Sequence, residues 1–264
     1  MYRAFYRLSQ NIARKDRTAE DLFISPSFSE AASRLDFIKD KGGFVLFTGQ
    51  SGVGKTTVLR YFSEKLNHKC YKIFYAPLAT VSVIEFYRQI AYLLGSAIPF
   101  RKDQLFHAIQ HTIGDLAGNQ HTIPIIIFDD AQFLKNDNFH ELQLLANFHF
   151  DSLDPVLFIL AAQPHLIDRL KRPVFDSFYQ RIKLKISLQA LSLDETKSFM
   201  AHVLKTASAP NDLFNSQASE LIYNLTNGLP RKISHLMEQA LIYGTAHQLK
   251  TIDENVIVKI AKEL

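Results

Sequence analysis

Residues 49–56 read Gly49-Gln50-Ser51-Gly52-Val53-Gly54-Lys55-Thr56, which is the full pattern G-x-x-x-x-G-K-[ST] of a phosphate-binding loop. The glycines let the backbone turn so that successive N–H groups point at a triphosphate. Lys55 supplies a positive charge for the β- and γ-phosphates, and the Thr56 hydroxyl is a ligand for Mg²⁺. The pattern therefore predicts a site for ATP and Mg²⁺.

The residues on either side of the loop fit the same site. An apolar run at residues 44–48 precedes the loop and predicts a buried strand. A helical pattern opens at Thr57, so the phosphates would lie at a helix N-terminus. We expect residues 49–57 to line the nucleotide site.

The composition is that of a folded globular protein. The chain has 264 residues, of which 47% are hydrophobic and 21% are charged, and its formal net charge is +4. This length is enough for one α/β domain and a smaller second domain. The single cysteine excludes a disulfide framework, and the sequence has neither a signal-peptide pattern nor an apolar run of about 18 residues. These features predict a cytoplasmic protein without a membrane segment.

Strand and helix patterns alternate between residues 43 and 188, which is typical of a parallel sheet with helices on both faces. The predicted strands are 44–48, 71–76, 124–129, 156–161 and 182–186, and the helices between them are 82–94, 102–117, 139–150 and 165–170. After Ser192 only helical patterns remain, at about 193–206, 216–226, 230–244 and 253–262. We therefore predict an α/β nucleotide-binding domain with an N-terminal segment over residues 1–190, and a helical lid over residues 191–264.

A second nucleotide motif ends the third predicted strand. Four apolar residues are followed by Asp129 and Asp130, which is the pattern of a Walker B element. Such an element holds Mg²⁺ beside the Thr56 hydroxyl, so Asp129 is the second predicted metal ligand. Asp130 occupies the position of the base that orients the attacking water. Related ATPases mostly have Glu there, and the shorter Asp predicts slow hydrolysis.

These motifs make the chain resemble an AAA+ ATPase, and within that class the ExeA/GspA-type AAA family. That family includes secretion-associated ATPases and transposon ATPases of the TnsC/TniB kind, which this chain resembles most in layout. The stretches that carry the closer resemblance are Met1–Phe5, Phe23-Ile24-Ser25-Pro26-Ser27, Gly43–Thr57, Asp129-Asp130-Ala131-Gln132, Ala162-Gln163-Pro164, Gln180-Arg181-Ile182, Leu191-Ser192-Leu193-Asp194-Glu195-Thr196 and Gly228-Leu229-Pro230-Arg231-Lys232-Ile233. The resemblance implies a P-loop NTPase core with a five-stranded parallel sheet, followed by the helical lid.

The resemblance also implies roles for residues outside the two motifs. Gln163, at the end of the fourth strand, resembles the sensor-1 residue that contacts the γ-phosphate or the attacking water, although the wider class has Asn there. Arg231 resembles sensor 2, a lid arginine that reaches the γ-phosphate. Phe23 and Ile24 would give the adenine apolar contacts.

One arginine is expected to act between subunits. Arg181 resembles the arginine finger that acts on the ATP of the neighbouring subunit. Arg169 and Arg172 compete for the role, and each of the three is also explained as a surface charge. A finger in trans requires an oligomer, so the resemblance implies a ring or a helical filament.

Three functions fit the resemblance. The first is a transposition regulator that oligomerises with ATP on double-stranded DNA and recruits or activates a transposase. The net charge favours it, as does the end of the sequence at Leu264 directly after the lid, because secretion-type members are usually longer. The alternatives are a cytoplasmic ATPase of a secretion or envelope-assembly system and a helicase-loader or origin-type ATPase. Candidate contacts with DNA phosphates are Arg101-Lys102, Lys135, Lys171-Arg172, Lys183 and Lys185.

Overall fold

The computed structural model describes residues 2–14, 16–77, 82–210 and 212–262. The chain forms two compact units. The sheet unit consists of Glu30–Gln50 and Lys55–Leu188, and the helical unit consists of Met1–Ser29, Ser51–Gly54 and Gln189–Leu264. Met1 and Leu264, on which part of the sequence-based prediction rests, lie outside the described residues. The predicted boundary between residues 190 and 191 stays a prediction.

The sheet unit is built on five parallel strands in the order β2-β3-β4-β1-β5. The strands are β1 (Gly43–Thr48), β2 (Tyr71–Ala76), β3 (Ile123–Phe128), β4 (Leu157–Ala162) and β5 (Ile182–Ser187). The residues of β1 and β4 are buried along their whole length, because strands inside a parallel sheet are covered on both faces. In contrast, β5 lies at an edge and alternates with exposed residues. The predicted parallel sheet of five strands is confirmed.

Helices make up most of the rest of the described chain. They are α1 (Tyr2–Phe5), α2 (Pro26–Ile38), α3 (Lys55–Lys65), α4 (Val83–Leu94), α5 (Lys102–Gly118), α6 (Asn136–Leu145), α7 (His165–Leu170), α8 (Asp176–Gln180), α9 (Leu193–Thr206), α10 (Ser216–Thr226), α11 (Pro230–Ala246) and α12 (Glu254–Ala261). Of these, α9 to α12 confirm the predicted helical C-terminal region. None of the helices in the described part of the chain is long and apolar enough to cross a membrane.

Helix α6 differs from its prediction, which ran from 139 to 150. It begins at Asn136 and ends at Leu145. A helix that runs to residue 150 is excluded because His149, Phe150 and Asp151 have positive φ angles of 47°, 58° and 64°. Phe150 is therefore exposed in a turn rather than buried on a helix face.

Phenylalanine rings fill the core of the sheet unit. The ring of Phe158 on β4 stacks on Phe44 of β1 at 5.1 Å between centroids and on Phe128 of β3 at 6.3 Å. The interplanar angles are 16° and 18°, so the three rings form an offset stack across neighbouring strands. This stack packs β3, β4 and β1 side by side. Because the three strands are parallel, their C-terminal ends lie on the same side of the sheet.

The helical unit has a core of its own. Helices α9 to α12 bury apolar residues against one another, together with Tyr2, Tyr6, Leu8 and Ile12 from the start of the chain. The Tyr2 hydroxyl donates to Glu238 Oε1 at 2.7 Å, and the Tyr6 hydroxyl donates to the carbonyl oxygen of Leu249 at 2.8 Å. The N-terminal residues are therefore part of this core and not a free tail.

Gly42, the residue before β1, has a backbone conformation and close surroundings that require glycine. Its φ is +57°, and a Cβ atom there would lie 2.0 Å from the carbonyl oxygen of Asp154. We expect Gly42→Ala to lower the free energy of unfolding by more than about 1 kcal/mol, because left-handed backbone alone costs that much for a residue with a Cβ. The measurement is urea unfolding followed by circular dichroism.

Gly114→Ala is the matched control. Gly114 lies inside α5, and a Cβ atom there would meet nothing within 4 Å. Alanine should stabilise this helix by up to about 1 kcal/mol. Equal effects of the two substitutions would contradict the steric argument for Gly42.

Candidate nucleotide site

The two predicted magnesium ligands lie together in the sheet unit. Thr56 is the second residue of α3, and Asp129 directly follows β3. The Thr56 hydroxyl donates to Asp129 Oδ2 at 2.7 Å, and Asp129 is only 8% exposed. A buried carboxylate needs such donors, because an unpaired charge is costly away from water. The contact joins the start of α3 to the end of β3.

The donor set of this pair fits Mg²⁺. The ion prefers oxygen ligands and is commonly held by one or two carboxylates together with substrate phosphates and water. A hydroxyl and a carboxylate in direct contact are such a set. In the part of the chain that the structure describes, no cluster of three or more His, Cys, Asp or Glu residues competes as a metal site.

Lys55 is held across the beginning of the phosphate-binding loop. Its side chain is largely buried, and Nζ donates to the carbonyl oxygens of Gly49 at 2.8 Å and Gln50 at 3.2 Å. Lys55 is also the first residue of α3, where the free N–H groups of a helix favour an anion. The Lys55 ammonium group and the N-terminus of α3 are therefore both available at the predicted phosphate site.

The tip of the loop, Ser51–Gly54, groups with the helical unit. Gly52 and Gly54 have φ angles of +79° and +112°, which explains why glycine stands at both positions. The backbone N–H of Arg231 donates to the carbonyl oxygen of Gly52 at 3.2 Å. A Cβ atom at Gly52 would lie 3.0 Å from Cβ of Arg231, so this close approach also needs glycine. The Arg231 side chain is exposed, and its sensor-2 role stays a prediction.

Asp130 and Gln163 are linked by a residue that has no role in the sequence-based prediction. Asp130 has left-handed backbone angles, with φ 54° and ψ 39°. The buried side chain of Gln132 donates through Nε2 to Asp130 Oδ1 at 3.0 Å, and its Oε1 accepts from the backbone N–H of Gln163 at 3.1 Å. Gln132 thus fixes the predicted water-orienting carboxylate to the end of the neighbouring strand β4.

A second residue missed in the sequence is Tyr75. Its hydroxyl donates to Asp129 Oδ2 at 2.8 Å, and Asp129 Oδ1 accepts from the backbone N–H of Asp130 at 3.0 Å. Partial burial of the phenol, followed by its hydrogen bond to Asp129 and the charges of Asp129 and Asp130, raises the pKa of Tyr75 well above its usual value. Tyr75 is therefore a neutral donor at physiological pH. Only the register of β2 beside β3 could have revealed this contact.

The predicted adenine contacts belong to the helical unit. The Phe23 ring lies 5.7 Å from the ring of Phe199 in an edge-to-face arrangement and 5.8 Å from the ring of His202. Ile24 is 41% exposed. Both assignments to the adenine stay predictions.

Arg169 is occupied within its own chain. Its guanidinium donates to the carbonyl oxygens of Gln132 at 3.1 Å and Leu134 at 2.6 Å, and through Nε and Nη2 to Asn136 Oδ1. It also lies 5.1 Å from the centre of the Phe139 ring. Most of its N–H donors are thus used to hold the turn between β3 and α6. This arrangement gives Arg169 a structural task and leaves it little to offer a neighbouring subunit.

Arg181 lies where the strands begin, whereas the phosphate-binding loop lies where they end. It directly precedes β5, whose first residue pairs with Phe44 and whose last residue pairs with Thr48. The loop begins after Thr48, so about 20 Å of strand separates Arg181 from the loop. Its Nη2 is 2.5 Å from Asp151 Oδ2, and Nη1 donates to the carbonyl oxygen of Gln143 at 3.3 Å. Arg181 therefore cannot serve the loop of its own chain.

Four of the seven candidate DNA contacts have a partner within the chain. Three have carboxylate partners, in the pairs Arg101–Asp103, Lys102–Glu141 and Lys183–Asp154. Lys185 lies over the Tyr179 ring, 3.5 Å from its centre. No carboxylate of a described residue lies within salt-bridge distance of the remaining three, Lys135, Lys171 and Arg172. All three are exposed.

Comparison with known proteins identifies a family whose model matches this chain. A family model described as "AAA domain" matches residues 38–170, which include the loop, Asp129 and Gln163. General secretion pathway protein A of Aeromonas hydrophila is 29% identical over 267 aligned positions, which cover 93% of this chain and 45% of that protein. The chain thus spans less than half the length of this relative.

Solved structures share the fold at low sequence identity. The ORC2 protein of Aeropyrum pernix superposes with a TM-score of 0.72 at 14% identity, over 97% of this chain and 72% of that one. The ORC1 protein of the same organism, solved in complex with DNA, gives 0.67 at 15% identity over 96% and 68%. RuvB of Thermotoga maritima gives 0.60 at 16% identity over 96% and 74%. At these identities the likeness concerns the fold alone.

The geometry of Gln132 predicts the effect of Gln132→Glu. A glutamate can still accept from the Gln163 N–H, but it cannot donate to Asp130 and repels its charge. We expect single-turnover ATP hydrolysis to slow at least tenfold, or about 1.4 kcal/mol, while the affinity for ATP changes little. The measurements are rapid-quench kinetics and equilibrium ATP binding.

Gln120→Glu is the control for this substitution. Gln120 Nε2 donates to Asp115 Oδ2 at 2.8 Å at an exposed position, so the same chemical change is made away from the site. Its turnover should equal that of the unchanged protein. If Gln132→Glu behaves like this control, Gln132 has no influence on Asp130.

Proposed function

Because this chain belongs to the AAA-domain family, we propose that it binds ATP with Mg²⁺, hydrolyses it and assembles with copies of itself in response to the nucleotide. The observation that carries the proposal is the 2.7 Å hydrogen bond between Thr56 and Asp129. It joins the phosphate-binding loop to the Walker B strand through the two side chains expected to hold Mg²⁺.

The residues of the sheet unit divide the chemistry between them. Lys55 and the start of α3 bind the β- and γ-phosphates, and Thr56 and Asp129 hold the ion. Bound Mg²⁺ neutralises charge that develops on the phosphates. Asp130 orients the attacking water, and Gln132 keeps its carboxylate in place. Gln163 is expected to contact the γ-phosphate or this water. Arg231, which belongs to the helical unit, keeps its proposed sensor-2 role.

Arg181 is proposed as the finger that acts in trans. Its position at the start of β5, remote from its own loop, supports the proposal. The hydrogen bonds that Arg169 makes within its own chain disfavour that competitor. Arg172 remains the alternative. A head-to-tail contact of this kind generates a ring or a helical filament.

Mixing two inactive variants tests the proposed site and the finger together. Lys55→Ala should lose phosphate binding, and Arg181→Ala should keep ATP binding but lose turnover. In an equimolar mixture, about a quarter of all interfaces would pair an intact site with an intact finger, so the mixture should reach about a quarter of the normal rate. Steady-state phosphate release measures this.

Three outcomes would contradict parts of this proposal. If Arg181→Ala alone retains turnover, the finger is another residue, and Arg172→Ala should then be the inactive variant. A mixture no faster than the sum of its components would contradict action in trans. Tight ATP binding by Lys55→Ala would contradict the loop assignment itself.

Specific observations favour two of the three functions that the sequence left open. The similarity to general secretion pathway protein A favours an ATPase of a secretion or envelope-assembly system, which acts on a protein partner. A DNA-bound transposition regulator of the TnsC/TniB kind, which recruits a transposase, is favoured by the net charge of +4 and the three cations Lys135, Lys171 and Arg172. The location in the cytoplasm stays a prediction in both cases.

A DNA-binding assay separates the two candidates. If duplex DNA is the partner, the chain with Mg-ATP should bind it at about 50 mM salt, and Lys135→Ala with Lys171→Ala should flatten the log–log salt dependence by about 0.9 for each lost contact. Lys102→Ala, which removes a cation already paired with Glu141, is the control and should change the slope less. No duplex binding by the unchanged protein would exclude the DNA candidate and leave the secretion candidate.

A further inference from the structure

The carboxylate of Asp129 has a donor from outside both nucleotide motifs. Tyr75 is the fifth residue of β2, and its Cα pairs with that of Ile127 on β3. This register brings the phenol to the end of β3, where its hydroxyl lies 2.8 Å from Asp129 Oδ2. The same oxygen accepts from Thr56 at 2.7 Å.

The hydrogen bonds among the described residues occupy most of the acceptor positions of the Asp129 carboxylate. Each carboxylate oxygen can accept about two hydrogen bonds. Thr56 and Tyr75 fill this capacity on Oδ2, and the Asp130 N–H takes one position on Oδ1. The remaining acceptor position is on Oδ1, where a water of a hydrated magnesium ion could donate.

We propose that Tyr75 is a positioning residue for Mg²⁺, which fixes the rotamer of Asp129 so that one oxygen faces the metal. The inference rests on the proposed function, because it assigns a supporting residue to the same site. Outer hydrogen-bond partners of metal ligands orient them, and removing one typically costs tenfold or more in metal affinity.

A purely structural role for the hydroxyl is disfavoured by its surroundings. Tyr75 is 43% exposed, so replacing the hydroxyl by hydrogen leaves no internal cavity. The phenylalanine ring of a Tyr75→Phe variant would keep the apolar contacts of the tyrosine. The substitution therefore removes one hydrogen bond to Asp129 and little else.

The same strand provides a matched control. Tyr71 is the first residue of β2, and its hydroxyl donates to the carboxylate of Asp40. Tyr71→Phe thus removes a tyrosine–carboxylate hydrogen bond from the same strand, at the end remote from Asp129. Any general effect of such a loss on the strand should appear in both variants.

The test measures binding rather than turnover. A fluorescent, non-hydrolysable ATP analogue is titrated onto the unchanged protein, Tyr75→Phe and Tyr71→Phe, over a series of Mg²⁺ concentrations and in EDTA. For Tyr75→Phe we expect the Mg²⁺ concentration for half-maximal analogue binding to rise about tenfold. The affinity in EDTA should be unchanged, and Tyr71→Phe should match the unchanged protein in both conditions.

The possible failures are distinguishable. If Tyr75→Phe and Tyr71→Phe give the same Mg²⁺ dependence, Tyr75 does not position the ligand. If Tyr75→Phe weakens binding equally in EDTA, its effect is on the nucleotide loop and the inference is also wrong. If the unchanged protein binds no analogue at any Mg²⁺ concentration, it is the proposed function that fails.

Discussion

The buried carboxylate of Asp129 is the constraint on which the arrangement of the sheet unit's site depends. Removing a carboxylate from water is costly unless donors replace the lost hydration. Here the donors come from α3 through Thr56, from β2 through Tyr75 and from the following peptide N–H. Each donor reaches the carboxylate only if its own element is correctly placed, so one charge couples the loop helix to two neighbouring strands. A site that must hold a divalent cation needs this pre-organisation, because the ion tolerates little error in ligand geometry.

The framework was predictable from the sequence because local patterns decide it. Apolar runs marked the inner strands, and the capping box of Ser192 with Glu195 is present at the start of α9. The error at α6 has a local cause, since the helical pattern runs on through Phe150 but three successive residues adopt left-handed backbone. Tyr75 and Gln132 were out of reach for another reason. Tyr75 contacts Asp129, and Gln132 contacts Gln163, only because β2, β3 and β4 are neighbours in the folded sheet. In the sequence, a tyrosine in an apolar strand is indistinguishable from an ordinary core residue.

Position within the fold separates arginines that look equivalent in the sequence. Arg169 and Arg181 both follow β4, yet the first is bound to the carbonyl oxygens of the β3–α6 turn and the second directly precedes β5. In a parallel sheet, all strands begin on one side and end on the opposite side. The phosphate-binding loop lies on the side where the strands end. A residue at the start of a strand is therefore directed away from its own nucleotide. This polarity is the basis for proposing that Arg181 acts in trans.

The residue type at position 130 is constrained by the backbone as well as by chemistry. Left-handed angles are tolerated better by Asp and Asn than by residues with longer side chains, because a short polar group can bond locally. Asp130 makes such a local bond with Gln132, two residues further on. A glutamate would reach one methylene further toward a water molecule, but it would strain the turn and displace its carboxylate from the Gln132 amide. The left-handed turn thus favours a short polar side chain at position 130, and the same turn brings the Asp130 carboxylate to the Gln132 amide.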